Sequence, residues 1–327
     1  METSRAPRFL LAAVLASLPP LGVIALEWRF GISFETPLDL ALMVGGISYP
    51  LWLARLKIDR SGHFVSFLVG FSTALGVASY LTGAANGLTD ESYTTPLYAS
   101  LILHGHDLYS VPLTVTYTQY GVRSTVSTFY SYLPLLTFLQ IPYLSYKLLS
   151  AACWLGIVWL VRRDFYSAVI LAQPYVGILA FNGFNDFVPL LLLTAAFVGW
   201  AGKRRWWAQA VALGTKQFAN VFVFAYHLLR RDWRNAGLTA LITLAFLVPF
   251  LVWDWRATLC QAVLYGLPAG CQGAGHLLLF HIDYGLWPLW CAGLFYAPVL
   301  AFFRSDSARA FRSRWRGTWD RWIKGPP

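Results

Sequence analysis

Long apolar runs separated by clusters of Lys and Arg constrain this sequence more than any other feature. The runs lie near residues 9–26, 38–54, 64–84, 127–146, 148–161, 165–181, 187–202, 206–229, 236–253 and 284–303. A helix of about 20 apolar residues is long enough to cross the hydrocarbon core of a bilayer. Charged residues make up only 12% of the chain, too few for a soluble fold with this much apolar sequence. We therefore predict an all-α polytopic membrane protein with about eight to eleven transmembrane helices, and we exclude a water-soluble enzyme and a disordered chain.

The basic clusters predict how the chain is oriented, because cytoplasmic loops of membrane proteins carry an excess of Lys and Arg. This rule places both termini in the cytoplasm of a multi-pass protein of the cell membrane. It places a large first loop, residues 85–125, on the extracytoplasmic side, together with the turn 182–186 and a second outer loop, residues 254–283. The clusters are Arg5/Arg8, Arg55/Lys57/Arg60, Arg162/Arg163, Lys203/Arg204/Arg205 and Arg230/Arg231/Arg234.

The chain divides into a single transmembrane domain, residues 1–303, and a basic tail, residues 304–327. Aromatic residues recur at helical spacing among the charges of the tail, which is typical of an amphipathic helix lying on a membrane surface. The tail is therefore expected to contact membrane lipids and not nucleic acid. The aromatic residues are Phe311, Trp315, Trp319 and Trp322.

The run 206–229 has basic clusters at both ends, so a single crossing would violate the charge rule. A break between Gly214 and Gln217, with two half-length helices meeting at an outward tip, would resolve the conflict. Lys216 lies within this break, and a lysine in an apolar run costs about 2.5–3.5 kcal/mol on insertion scales. We expect Lys216 to face a cavity or a partner; the alternative is that it extends to the membrane surface or pairs structurally.

Polar and charged residues are concentrated in the first outer loop. Asp90 and Glu91 form an adjacent acidic pair after the third run, and the alternative is that they only solvate a helix end. His104, His106, Asp107 and Tyr109 follow. A metal site is disfavoured here, because two histidines one residue apart project their rings in different directions. Farther along, Asp186 precedes an apolar run and is also a candidate N-cap.

Cysteine spacing shows no metal-ligand pattern. Cys153 and Cys291 lie in apolar runs, whereas Cys260 and Cys271 share the second outer loop. A disulfide between Cys260 and Cys271 would require that loop to face an oxidising space.

The order of several short motifs resembles that of the polytopic GT-C glycosyltransferases, most closely the polyprenyl-phosphate-mannose-dependent mannosyltransferases. The acidic pair is followed by His104-Gly105-His106-Asp107-Leu108-Tyr109, similar to a "G-h-n-P-Y" turn, and by Tyr132-Leu133-Pro134-Leu135, similar to a "Y-P-P-L" helix start. Asn182-Gly183-Phe184-Asn185-Asp186 resembles a "G-Q-x-N" loop, and Gly214-Thr215-Lys216-Gln217 resembles a helix break that carries a lysine. The resemblance extends roughly from Phe64 to Trp253.

The resemblance implies a GT-C-like bundle that transfers a hexose, with mannose the best guess, from a polyprenyl- or dolichyl-phosphate donor to a glycan, lipid or protein acceptor. Asp90 would be the catalytic base, with Glu91 as the second choice. Lys216 and Gln217 would bind the donor phosphate, with Arg256 or Arg123 as alternatives. Residues expected to contact the substrates are His104, His106, Asp107, Tyr109, Tyr132, Asn185 and Asp186.

No cofactor is implied, and a divalent cation, which several GT-C enzymes use, is a minor alternative. Two other functions stay open. One is a transporter or flippase for a lipid-linked or small polar substrate, which the absence of an evident internal repeat disfavours. The other is a non-catalytic membrane scaffold with a GT-C-like fold.

Overall fold

A computed structural model describes residues 62–82, 91–119, 122–130, 132–139, 146–199 and 202–264. Several predictions fall outside these residues: the spans at 9–26, 38–54 and 284–303, the tail 304–327, Asp90, and the part of the second outer loop that contains Cys271.

Helices form most of the described chain. In chain order they are α1 (Gly62–Thr82), α2 (Glu91–Leu103), α3 (Pro134–Phe138), α4 (Tyr146–Val161), α5 (Phe165–Leu171), α6 (Pro174–Phe181), α7 (Phe187–Thr194), α8 (Gly202–Leu213), α9 (Gln217–Leu229) and α10 (Trp233–Thr258). Short π-helical turns, Ala195–Gly199 and Leu259–Val263, extend α7 and α10.

In the described part of the chain, two helices are long and apolar enough to cross a membrane by length and composition. They are His63–Thr82 and Trp233–Val263. Tyr146–Val161 and Phe187–Gly199 are apolar but shorter. The described region is thus mainly helical, with two candidate membrane spans.

The predicted run 165–181 is interrupted and does not form one helix. Gln173 is extended, with ψ 145°, and Pro174 begins α6, as expected because a proline disfavours helical geometry in the residue before it. The carbonyl groups freed at the end of α5 receive side-chain donors. Trp154 Nε1 donates to Leu171 O at 2.7 Å and Ser72 Oγ donates to Ala172 O at 2.5 Å. Such bonds make a broken helix tolerable in an apolar surrounding.

Helix α1 packs closely alongside α5 and α6 and runs parallel to them. A Cβ atom at Gly177 would lie 2.7 Å from the Ser72 carbonyl oxygen, so only glycine permits this approach of the two backbones. Farther along, Asn182 Nδ2 donates to Ser79 Oγ at 3.0 Å. Trp154 on α4 is fully buried within the same core.

The first outer loop, predicted as residues 85–125, contains regular structure. It includes α2 and an antiparallel hairpin of β1 (Leu113–Gln119) and β2 (Val122–Thr128). Leu113 pairs with Thr128 and Gln119 with Val122. The hairpin was not anticipated and is an exception to the predicted all-α fold.

One further prediction is wrong. The described part of the run 127–146 does not form one long helix, because it comprises the end of β2, a few residues outside regular structure and the short helix α3. The predicted end of the run 236–253 coincides with a break in α10. Asp254 is non-helical, with φ −145° and ψ 94°, and its Oδ1 accepts from Ala257 N at 3.0 Å. The predicted loop from residue 254 begins with helical chain, which continues through the π-helical turn to Val263.

The helices alternate between two ends of the bundle. The turns 182–186 and 214–216 lie together at one end, because Lys216 contacts Asp186. The far end of α10 lies there too, because Gln217 contacts Ala262. The basic clusters lie at the opposite end of the bundle. Residues 162–163 follow α4, residues 203–205 are in the first turn of α8, and residues 230–234 connect α9 to α10.

Candidate functional site

The candidate site is built around the helix break between α8 and α9, which the charge pattern predicted. Helix α8 ends at Leu213, and Lys216 is extended, with φ −143° and ψ 152°, before α9 begins at Gln217. Thr215 Oγ1 donates to Ala212 O at 2.6 Å, and Asn220 Nδ2 donates to Leu213 O at 2.8 Å. These bonds satisfy carbonyl groups that the end of α8 leaves without helical partners.

The first turn of α3 and the residue before it pair with this break through their backbones. Leu133 N donates to Thr215 O at 3.2 Å, and Leu135 N donates to Gly214 O at 2.9 Å. A Cβ atom at Gly214 would lie 2.8 Å from Leu135 Cβ, so a larger residue there would force the two segments apart. The "Y-P-P-L"-like motif and the lysine-bearing break are therefore in direct contact.

Lys216 is the charged centre of the site and is 5% exposed. Its Nζ forms an ion pair with the Asp186 carboxylate, which is also largely buried. The same Nζ lies over the Tyr132 ring, 4.2 Å from the ring centroid, within the range of a cation–π interaction. Lys216 thus has an acidic partner inside the bundle, which agrees both with the expected partner and with the alternative of a structural pair.

Asp186 precedes α7 at the N-cap position, but its side chain does not cap the helix. A capping side chain accepts from the backbone N–H two or three positions later. The residue three positions later is Pro189, which has no N–H, and the Val188 N–H donates to Asn185 O at 3.4 Å. The N-cap alternative for Asp186 is therefore wrong, and its carboxylate is directed to Lys216. Asn185, directly before it, is fully buried.

Three tyrosines connect Lys216 to the turn that follows α2. The Tyr109 hydroxyl donates to Tyr132 O at 2.8 Å, and the Tyr130 hydroxyl donates to Leu133 O at 3.0 Å. The ring centroids of Tyr130 and Tyr132 are 5.6 Å apart. Burial, and secondarily the neighbouring Tyr130 and Asp107, raise the pKa of Tyr109 well above its usual value. Tyr109 therefore stays protonated and acts as a hydrogen-bond donor.

Asp107 lies beside this tyrosine cluster. It is 5% exposed, and its Oδ2 accepts from Ser110 N at 3.0 Å. Its Oδ1 is buried and accepts no hydrogen bond from any described residue. A buried carboxylate oxygen in this state is costly unless something approaches it, which keeps Asp107 a candidate for contacting a substrate hydroxyl.

The structure does not bring all the predicted residues to this centre. His104 and His106 are exposed in the turn after α2, and the His104 ring donates from Nδ1 to Ser100 O at 2.7 Å. Arg256 is exposed on α10 and forms no ion pair or hydrogen bond through its side chain with any described residue. Gln217 Nε2 donates to Ala262 O at 2.8 Å, so its amide links the break to the π-helical turn after α10.

Glu91 is the first residue of α2, whereas the tyrosine cluster follows the other end of that helix. Because α2 has 13 residues, its ends are about 18 Å apart at 1.5 Å per residue. Among the described acids, Asp186 contacts Lys216, and Asp107 lies beside Tyr109 in the tyrosine cluster. The assignment of Asp90 and Glu91 as the catalytic pair stays a prediction.

The pairing of Lys216 with Asp186 is the feature that sequence reasoning missed. The two residues are 30 positions apart, and no local pattern relates them. Within the described ranges, no group of three or more His, Cys, Asp and Glu side chains could hold a metal ion.

No family model, curated protein or solved structure matches this chain.

Proposed function

We propose that this protein is an inverting glycosyltransferase of the membrane, which moves a hexose from a polyprenyl-phosphate donor to an acceptor hydroxyl. The observation that carries the proposal is the buried ammonium of Lys216 on a helix break, held by Asp186 and the Tyr132 ring. A charged group inside an apolar bundle is a marker of a functional site. Its surroundings, with the Asp186 carboxylate and the tyrosine cluster that begins at Tyr132, suit a sugar bound to a phosphate.

The chemistry needs two complementary charges. The acceptor oxygen attacks the anomeric carbon, the bond from that carbon to the phosphate oxygen breaks, and the phosphate keeps the electron pair. The acceptor proton passes to a carboxylate, for which Asp90 is our first choice and Glu91 the second. The Lys216 ammonium offsets the negative charge that grows on the departing phosphate. Attack opposite to the leaving group inverts the anomeric centre.

A multi-pass arrangement follows from the same proposal, since the donor's polyprenyl chain lies in the bilayer. The site end of the bundle would face the extracytoplasmic side, with the basic clusters facing the cytoplasm. Cys260 supports this orientation, because it follows α10 at the site end and is disulfide-bonded. Disulfides persist in oxidising compartments. The partners are then the lipid-phosphate sugar, a glycan, lipid or protein acceptor, and the surrounding membrane lipids.

The test is a transfer assay in membranes with a labelled polyprenyl-phosphate sugar. Because removing a general base costs about 10²–10⁴-fold, we expect Asp90→Asn or Glu91→Gln to lose that much activity. Lys216→Gln should lose about 10²–10³-fold. Asp164→Asn, which removes an acid beside the basic cluster at Arg162 and Arg163, is the matched control and should behave like wild type. If both acid substitutions leave the rate within about threefold, the base is assigned incorrectly.

Transport is the second candidate function, and the broken helices favour it. Transporter sites are commonly formed where discontinuous helices meet, and here the α8–α9 break holds a buried charge pair. Purified protein in vesicles separates the two functions. A transferase forms a new glycosidic bond on one side of the membrane, whereas a transporter moves the unchanged lipid-linked sugar across it. If the protein forms no glycosidic bond and moves no lipid-linked sugar, the non-catalytic scaffold is the function that stays open.

A further inference from the structure

We propose that Asp186 is a displaceable counter-ion, which holds the Lys216 ammonium until a phosphate takes its place. This inference rests on the proposed function, because it assumes that Lys216 meets the donor phosphate. It goes further by assigning to Asp186 the selection of an anionic group over a neutral one, and of a phosphate monoester over a singly charged anion. The acid would thus determine specificity without touching the sugar.

The first step of the argument is that Lys216 and Asp186 are both largely buried. A buried ammonium without a counter-charge is strongly unfavourable. Whatever ligand reaches Lys216 must therefore bring at least the negative charge that Asp186 supplies. A neutral headgroup does not, and a carboxylate only equals it. The phosphodiester of the proposed donor carries one negative charge and also only equals it. A phosphate monoester carries a charge of about −1.5 to −2 near neutral pH, so the departing lipid phosphate replaces the carboxylate with a gain.

The second step is that the Asp186 carboxylate, once released from Lys216, has another favourable environment at the start of α7. Its carboxylate stands at the N-cap position of α7 without capping that helix. The nearby Val188 N–H makes only a long bond, 3.4 Å, to Asn185 O. Helix N-termini favour negative side chains through the helix dipole. The released carboxylate would thus stay in a favourable field at the start of α7, without a capping hydrogen bond.

The third step links this exchange to the reaction. The donor is a phosphate diester with one negative charge, and the departing lipid phosphate is a monoester with nearly two. Lys216 is therefore drawn from Asp186 toward the phosphate as the bond to the sugar breaks. The Tyr132 ring, whose centroid lies 4.2 Å from Lys216 Nζ, would contact the ammonium both before and after the phosphate replaces Asp186.

The experiment measures ligand-induced thermal stabilisation of the purified full chain in detergent. Farnesyl phosphate is the probe, and farnesol, with the same tail and no phosphate, is its control. We expect Asp186→Asn to melt lower than wild type without ligand but to bind farnesyl phosphate about tenfold more tightly, since the competing carboxylate is gone. Farnesol should stabilise both proteins equally. Asp186→Ser, which also removes the carboxylate, should show the same tighter binding and serves if the Asn variant does not fold.

Lys216→Gln separates this inference from the proposed function. If Lys216→Gln abolishes the farnesyl phosphate response while Asp186→Asn binds no more tightly than wild type, the counter-ion role is refuted and the phosphate site stands. If Lys216→Gln responds fully, the phosphate site is refuted as well. Asp164 lies beside Arg162 and Arg163, at the opposite end of the bundle from this pair. Asp164→Asn should therefore leave the affinity for farnesyl phosphate at the wild-type value.

Discussion

At the scale of single residues, the ring of Tyr132 has a role that its hydroxyl does not share. Lys216 Nζ lies 4.2 Å from the ring centroid. Tyr132→Phe keeps the ring and should behave like wild type, whereas Tyr132→Leu removes the cation–π contact. That contact is worth about 0.5–2 kcal/mol, so the donor KM should rise about 2- to 30-fold in the Leu variant. Steady-state kinetics with varied donor concentration provide the measurement.

The contact from Tyr109 is unaffected by either substitution, because it is accepted by the backbone carbonyl of Tyr132. The comparison therefore isolates the ring. An equal rise in KM for the Phe and Leu variants would show that the hydroxyl, not the ring, is what matters.

Individual residues also show where reasoning from sequence stops. Lys216 was recognisable because a lysine within an apolar run demands a partner. Its partner was not, because the turn before α7 and the α8–α9 break are brought together only by tertiary packing. His104 stood out by residue type, yet its ring caps its own helix through Ser100.

At the scale of elements, Gly214 decides whether the α8–α9 break can contact the segment before α3. A Cβ atom there would lie 2.8 Å from both Leu135 Cβ and Phe246 Cε2. Gly214→Ala should destabilise the protein by about 1–3 kcal/mol, as overpacking does. Gly237→Ala is the matched control, because nothing lies within 4 Å of its Cβ position in α10. There, alanine should stabilise by about 0.5–1 kcal/mol through its lower chain entropy.

Thermal unfolding of both glycine variants in detergent measures the difference. The same sign for the two substitutions would mean that the contact between Gly214 and Leu135 does not hold the break in place. Loss of transfer activity without loss of stability in Gly214→Ala would instead place its effect on the position of Lys216.

The elements themselves were predictable only in part. The break before α9 followed from the charge at both ends of one apolar run, and α1 and α4 followed from apolar length. Pro174 alone predicts a break in the helix before it. The break was missed because the apolar run 165–181 is long enough to suggest a single span. The alternation of Thr with Val or Tyr in Leu113–Gln119 is typical of a β-strand and could have predicted the hairpin. The polar residues around it favour a loop instead.

At the scale of the whole molecule, the two ends of the bundle differ in charge, and this difference predicts which end faces the cytoplasm. Basic clusters flank α4, α8 and α9 at one end, while Asp107 and Asp186 lie at the other. Positively charged loops are retained in the cytoplasm. The disulfide-bonded Cys260 follows α10 at the end that carries Lys216, where an oxidising space would keep it intact. Both features favour the orientation that we propose, with the basic end in the cytoplasm.

A labelling experiment tests that orientation directly. Ser110, in the turn after α2, and Arg204, in α8, are both exposed and lie at opposite ends of the bundle. In intact cells a membrane-impermeant maleimide should label Ser110→Cys and not Arg204→Cys, and permeabilised cells should label both. The unsubstituted chain gives the background from its own cysteines. The reverse pattern would put the lysine centre on the cytoplasmic side, where a soluble nucleotide-sugar could reach it, and would remove the reason for a lipid-linked donor.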